Sequence, residues 1–220
     1  MRAALRNGIL VTVTALLAGA GFAAGTQATR PAPMPAAASA AAMNPPATRA
    51  TAIFAGGCFW CLEADFDKLP GVIATESGYT AGRTERPTYE EVSSGATGHT
   101  EGVRVTYDPA KVNYEQLITY FWRHIDPTVK DRQFCDIGSQ YRSGIYWSNA
   151  REREIAESSR AALLRSGTLA QVETEMAAAS EFYPAEEYHQ DYYLKNPIRY
   201  SFYRRSCGRD ARVQEIWGGK

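Results

Sequence analysis

Gly56-Gly57-Cys58-Phe59-Trp60-Cys61 joins two segments of different periodicity. Before it, Thr51 to Ala55 is short, partly apolar and β-prone. After it, Leu62-Glu63-Ala64-Asp65-Phe66-Asp67-Lys68-Leu69 places apolar side chains at 62, 66 and 69, which is helical spacing. The local order is therefore strand, glycine turn, cysteine, helix. A thiol at a helix N-terminus faces unpaired N–H groups and the positive end of the macrodipole. Cys58 is accordingly expected to have a lowered pKa and to be nucleophilic at neutral pH. Other readings of the same residues are a small buried hydrophobe, half of a zinc site, or one side of a structural disulfide. Cys135 and Cys207 are isolated and form no second doublet, which argues against zinc. The even count of four cysteines admits two structural disulfides, but the Gly-Gly turn and the adjoining aromatics favour a reactive thiol.

Outward from this centre the 220-residue chain divides unevenly. Arg2 and Arg6 precede an uncharged apolar run to about Ala24, followed by small residues, which is the layout of a secretory signal over 1–25 or of an uncleaved N-terminal anchor. The Ala- and Pro-rich stretch 26–50 reads as a tether, and 51–220 is the size of one domain. That domain holds 20 basic and 24 acidic residues, a formal charge of −4, with no basic run suited to nucleic acid. The export signal implies an exported, periplasmic location. There structural disulfides are permitted, and a catalytic thiol needs a dedicated reductant.

Within the domain, 71–79 reads as a strand and 83–99 as a long polar loop with a helical piece near Tyr89 to Val92. Glu101 to Tyr107 alternates, placing Val103, Val105 and Tyr107 on one strand face. Asn113 and Gln116 form a capping box for a helix over 114–124 that buries Leu117, Ile118, Phe121 and Trp122. A second polar loop spans 128–141, and Ser143 to Trp147 is a strand. Asn149 caps a helix over 150–165 that stops at Gly167. Gln171 to Met176 alternates weakly as a strand, Phe182 to Tyr193 is expected to be partly helical, and 197–220 shows no clear periodicity. The fold class is α+β: a two-layer sandwich with a small mixed sheet and an irregular C-terminal tail.

Six segments then resemble one family, in its order across most of 51–208. They are Gly57-Cys58-Phe59-Trp60, Pro87-Thr88-Tyr89, Gly98-His99-Thr100-Glu101, Tyr107-Asp108-Pro109, Asp136-Ile137-Gly138-Ser139-Gln140-Tyr141-Arg142-Ser143 and Tyr188-His189-Gln190. The family is the A-type peptide methionine sulfoxide reductases, which act on the S-epimer. The resemblance implies a ferredoxin-like βαββ core and reduction of methionine-S-sulfoxide, free or in proteins. It makes Cys58 the nucleophile, Glu101 the acid, and Tyr89 and Tyr141 hydrogen-bond donors to the sulfoxide oxygen. Phe59 and Trp60 would hold the S-methyl group, and Asp136 would help fix the substrate. Sulfoxide sulfur is a poor electrophile until its oxygen is protonated, so Glu101 must be buried and carry its proton near neutral pH. Taken alone, Glu101 reads as an exposed charge at a strand start. His99 and His189 are read as structural.

The expected cycle leaves Cys58 as a sulfenic acid, which a second thiol converts to a disulfide. Many relatives carry a small residue after the Trp and a Gly-rich tail with resolving cysteines; here Cys61 follows Trp60 and the tail holds Cys207 alone. Cys207 is the leading resolving residue, with Cys61 and Cys135 as alternatives. No flavin, nicotinamide or metal motif is present. The implied partner is an external thioredoxin-like thiol reductant, and the protein is expected to be a monomer. Two rivals remain: a thioredoxin-like disulfide oxidoreductase built on Cys58-Phe59-Trp60-Cys61, and a non-catalytic secreted module in which all four cysteines are paired.

Overall fold

The computed structural model describes residues 48–218; the signal and most of the tether read from the sequence lie outside them. The chain enters at β1 (Ala50–Gly56) and continues through α1 (Phe59–Phe66), β2 (Val72–Thr80), α2 (Tyr89–Ser93), β3 (Thr100–Tyr107) and α3 (Tyr114–Trp122). A hairpin of β4 (Arg132–Gln133) and β5 (Asp136–Ile137) precedes a 3-10 turn at Ser139–Tyr141. Then come β6 (Ser143–Trp147), α4 (Ala150–Arg165), β7 (Glu175–Ala178), β8 (Phe182–Pro184), α5 (Tyr192–Lys195), α6 (Pro197–Ser206) and α7 (Arg209–Trp217).

Among the described residues, six strands form one sheet in the order β7-β6-β1-β3-β2-β8. The β6–β7 pair is parallel and the remaining pairs are antiparallel, so the sheet is mixed. Phe54 lies opposite Val103 and Ala52 opposite Val105, which puts these four on one face. The Phe54 ring is 5.1 Å from both Phe66 of α1 and Phe121 of α3, so both helices cover that face. Each phenylalanine so buried stabilises the layer by roughly 1.5–3 kcal/mol. Glu101 is two residues before Val103 and shares the covered face, which directs its carboxyl under the start of α1.

Local chemistry explains the helix boundaries. Asn113 and Gln116 form the expected capping box, and Asn149 Oδ1 accepts from Glu152 N at 3.0 Å. Gly167 ends α4 with φ +68°, a conformation that glycine adopts without a Cβ penalty.

Three expectations are corrected. The tail after 197 is not irregular but holds α6 and α7, with Pro197 opening α6 and Gly208 (φ +70°) separating the two helices. The strand read at 171–176 forms at 175–178, where it can pair with β6. The aromatic segment from Phe182 begins as a strand beside β2 and turns helical only at Tyr192.

Candidate active site

The nucleophile candidate is seated by backbone constraint. Gly57 has φ +80°, and a Cβ there would lie 2.5 Å from the Gln133 Cβ. Gln133 cannot easily yield, because its amide accepts from Asp126 N at 2.9 Å and donates to Asp126 O at 2.6 Å. Cys58 follows as the N-cap of α1 and is buried.

The expected acidity of Cys58 is reversed. Burial pushes its pKa well above the ordinary thiol value, reinforced by a hydrogen bond with the Cys61 thiol and by the negative fields of Cys61, Glu101 and Asp136. The N-terminal amides that would stabilise a thiolate are already taken. Phe59 N donates to Glu101 Oε2 at 2.9 Å, and Cys58 N donates to the Asp136 carboxyl. Cys61 shifts the other way: its pKa is lowered, first by the hydrogen bond from Cys58 and then by the fields of Arg209 and Arg204.

Glu101 is buried, not the exposed strand-start charge that its sequence neighbourhood alone implies. Burial raises its pKa to about 8, against the lowering effect of the Phe59 amide. It therefore carries its proton at neutral pH. Tyr89 and Tyr141 are half-buried, and both phenol pKa values rise, mainly by desolvation and next through Glu101, so both remain O–H donors. Tyr141 also feels Tyr89, Asp136 and Cys58, which places these groups around one centre. Tyr89 is fixed at the start of α2, where its backbone N–H donates to Glu186 Oε1 at 2.9 Å; Glu186 also accepts from Tyr79 O–H at 2.7 Å.

The aromatic wall is similarly braced. Trp60 stacks on Tyr192 with centroids 3.7 Å apart and planes 7° apart. Its indole N–H donates to His189 Nδ1 at 3.0 Å, which requires that nitrogen to be unprotonated. Burial keeps the His189 pKa low, consistent with the neutral ring. Phe59 packs against the same imidazole at 5.0 Å. Gln190 ties the segment to β2 by accepting from Ser77 N at 2.8 Å and donating to Ser77 O at 2.9 Å. His99 bonds Thr84 O at 2.7 Å, a loop-fixing contact.

Of the eight sequence-nominated chemical and wall residues other than Cys135 and Cys207, all gather around the start of α1. The remaining two form a disulfide: Cys135 and Cys207 are bonded, while Cys58 and Cys61 are free. A module with all four cysteines paired is thereby excluded in this state. Cys135, Asp136 and Cys207 place potential ligand atoms within 4.8 Å of one another, but the two sulfurs are bonded to each other.

Two participants were missed in the sequence. Tyr203 O–H donates to Asp136 Oδ2 at 2.6 Å and also hydrogen-bonds with Cys58. Arg209, fully buried, donates to Gly56 O at 3.0 Å and to His124 O at 2.8 Å, clamping the strand end behind the nucleophile. Both lie in the segment without periodicity. The available signal was Pro197 at a helix start and Gly208 at a helix end.

A thiol next to a protonated carboxyl in a nearly dry site can move sulfur-bound oxygen and protons without a bound cofactor, which is the chemistry of a thiol oxidoreductase. The family model described as "Peptide methionine sulfoxide reductase" matches residues 50–220, and the chain belongs to that family. It is 49% identical over 173 residues to the peptide methionine sulfoxide reductase MsrA of Bacillus licheniformis, covering 78% of this chain and 96% of the relative. It is 50% identical over 185 residues to MsrA 2 of Caulobacter vibrioides, covering 83% and 92%. Among solved structures, reduced Mxr1 from Saccharomyces cerevisiae superposes with a TM-score of 0.64 at 31% identity, over 70% of this chain and 89% of that one. Methionine sulfoxide reductase A of Corynebacterium diphtheriae gives 0.62 at 38%, over 70% and 77%. The chain is thus a peptide-methionine (S)-S-oxide reductase, an α+β oxidoreductase working by thiol and disulfide chemistry.

Proposed function

We propose that Cys58 attacks the sulfoxide sulfur while Glu101 delivers its proton to the oxygen. The observation that carries this reading is the burial of both groups on the two sides of the Phe59 amide, with Glu101 protonated at neutral pH. Attack forms a bond between Cys58 Sγ and the substrate sulfur, and the substrate S–O bond breaks as its twice-protonated oxygen leaves as water. Water then bonds Cys58 Sγ while the S–S bond breaks and its electron pair leaves with the thioether. The Cys58 proton returns to Glu101, so one thiol and one sulfoxide give one sulfenic acid and one thioether. Tyr89 and Tyr141 donate to the oxygen, Phe59 and Trp60 enclose the methyl group, and Asp136 holds the Cys58 amide and orients the substrate.

Cys61 is the first resolving thiol on this reading, ahead of Cys207. It is already hydrogen-bonded to Cys58, and its pKa is lowered by that bond and by the fields of Arg209 and Arg204. Condensation of Cys61 with the sulfenic acid forms the Cys58–Cys61 disulfide and releases water. Exchange with a reduced Cys135/Cys207 dithiol then regenerates the buried thiols and leaves the disulfide on Cys135 and Cys207. An external thioredoxin-like protein reduces that bond. The substrates are methionine-S-sulfoxides in oxidised exported proteins and the free amino acid, and the enzyme works as a periplasmic monomer. The β1-α1-β2-β3 connection with strand order β1-β3-β2 supports a ferredoxin-like core.

A single-turnover experiment tests the scheme. Fully reduced enzyme is mixed with one equivalent of N-acetylmethionine-S-sulfoxide, and its disulfides are mapped by mass at successive times. Cys58–Cys61 should form first and Cys135–Cys207 second, with no product from Cys58→Ser. A Cys58–Cys207 bond formed while Cys61 stays free would overturn the order.

A further inference from the structure

Tyr188 stands outside the aromatic wall yet continues it. Its ring lies 4.2 Å from that of His189, and His189 in turn lies 4.4 Å from Tyr89, 5.0 Å from Phe59 and 5.6 Å from Trp60. His189 is buried, whereas Tyr188 is 55% exposed. The row of rings that begins at the methyl wall therefore ends on an aromatic face in solvent. Carboxylates surround that face, and they are differently engaged. The Tyr188 pKa rises, first by desolvation and then through the fields of Glu186 and Glu90. Glu186 is occupied by Tyr79 O–H and by the Tyr89 amide. Glu187 is neutralised by Lys195 at 2.9 Å. Glu90, exposed on α2 next to Tyr89, has no ion pair or side-chain hydrogen bond among the described residues.

We infer that Tyr188 and Glu90 form a subsite for a lysine or arginine that neighbours the methionine sulfoxide in a peptide substrate. The inference rests on the reading that Tyr89 faces the sulfoxide oxygen, and adds to it which sequences around the oxidised residue bind best. The occupant follows from the chemistry of the two side chains. A cation over a tyrosine face is attracted by the ring quadrupole, and His189 covers one side of Tyr188 while solvent meets the rest. The free Glu90 carboxylate adds an attraction that an apolar neighbour cannot use and that an acidic one would meet as repulsion. Two ring contacts separate Tyr188 from Tyr89, a span that one or two residues of extended chain and a lysine or arginine stem cover. The formal charge of −4 on the domain draws cationic segments in the same sense.

The test uses the full chain with dithiothreitol as reductant, so that no protein partner enters. The values of kcat and KM are measured for three blocked pentapeptides whose central methionine-S-sulfoxide is flanked on both sides by lysine, alanine or glutamate, and for N-acetylmethionine-S-sulfoxide. The lysine peptide should show a KM about fivefold below that of the alanine peptide, and the glutamate peptide a higher one, with kcat the same for all three. Sodium chloride at about 1 M, which shortens the screening length to about 3 Å, should shrink the difference. Glu90→Lys should invert the order of the peptides. Tyr188→Ala should erase the lysine advantage, whereas Tyr188→Phe should keep it. All three variants should retain wild-type kinetics on N-acetylmethionine-S-sulfoxide, which has no flanking residue. Glu115→Lys, the same change of charge in the groove between α3 and α4, is the control and should leave the order intact. Equal KM values for the three peptides, a lysine advantage that survives Glu90→Lys, or inversion by Glu115→Lys would each overturn the assignment. Absence of N-acetylmethionine-S-sulfoxide turnover in the wild type would instead count against the catalytic reading, so the two failures are distinguishable.

Discussion

Cys58 and Cys61 stand one helical turn apart, buried beneath aromatic side chains, and both are free thiols. Cys135 and Cys207 stand 72 residues apart in sequence, at the surface, and are bonded. One carboxylate lies between the pairs: Asp136 accepts from the Cys58 amide and sits 3.7 Å from Cys135 Sγ and 4.0 Å from Cys207 Sγ. The difference teaches that burial and access serve separate halves of one cycle. The dry pair suits attack on a small polar oxide, because desolvation holds the thiol and the acid in their protonated forms until a substrate arrives. The wet pair suits exchange with a macromolecule, because its sulfur can be reached.

The largest expected effect breaks the buried side of this contrast. Glu101→Gln should slow single-turnover sulfoxide loss by roughly 10²–10⁴-fold by removing the general acid. In the wild type the rate should fall as pH rises through about 8, where Glu101 loses its proton. The sign for stability is the same. A folded pKa raised above the ordinary 4.5 contributes stability present below 4.5 and lost as pH climbs toward 8. Thermal melts of Glu101→Gln should therefore depend less on pH across that range than wild-type melts.

Next in size is the surface side. Reduction of Cys135–Cys207, or the paired change Cys135→Ser with Cys207→Ser, should lower stability by about 2–4 kcal/mol, because a long closed loop is released in the unfolded chain. Denaturant titration measures this, and single-turnover chemistry at Cys58 should survive it. A smaller effect separates the two thiols of the buried pair. Cys61→Ser should keep single-turnover product formation but lower steady-state turnover about tenfold, near 1.4 kcal/mol. Cys58 should then persist as a sulfenic acid that a dimedone probe labels.

Much of this molecule can be read from residue order, and the gaps have physical causes. Caps at Asn113 and Asn149 are local, so they were legible. The burial of Glu101 was also legible in principle, since it lies two residues before Val103 on the face that Val103, Val105 and Tyr107 define. The acidity of Cys58 was misjudged because helix-terminus reasoning assumes unoccupied amides, and two carboxyls distant in sequence occupy them. Helix α6 escaped because its most apolar residues, Ile198 and Phe202, face solvent, while the side chains it packs inward are the tyrosines Tyr200 and Tyr203. Tyr203 and Arg209 escaped with it. The cysteine pairing lay beyond sequence reasoning, since four cysteines admit three pairings.

The Arg209 clamp has a consequence for the order of synthesis. Its guanidinium holds the carbonyl of Gly56 from a helix made more than 150 residues later. A nascent chain that has emerged only as far as Ser206 already carries Cys58 and Glu101, yet lacks the brace behind the glycine turn and the half-cystine that pairs with Cys135. The ribosome thus delivers the nucleophile early and its frame late. Reactivity at Cys58 becomes a property of the finished domain, and a truncated product would present an unseated thiol to the quality-control machinery of the cell.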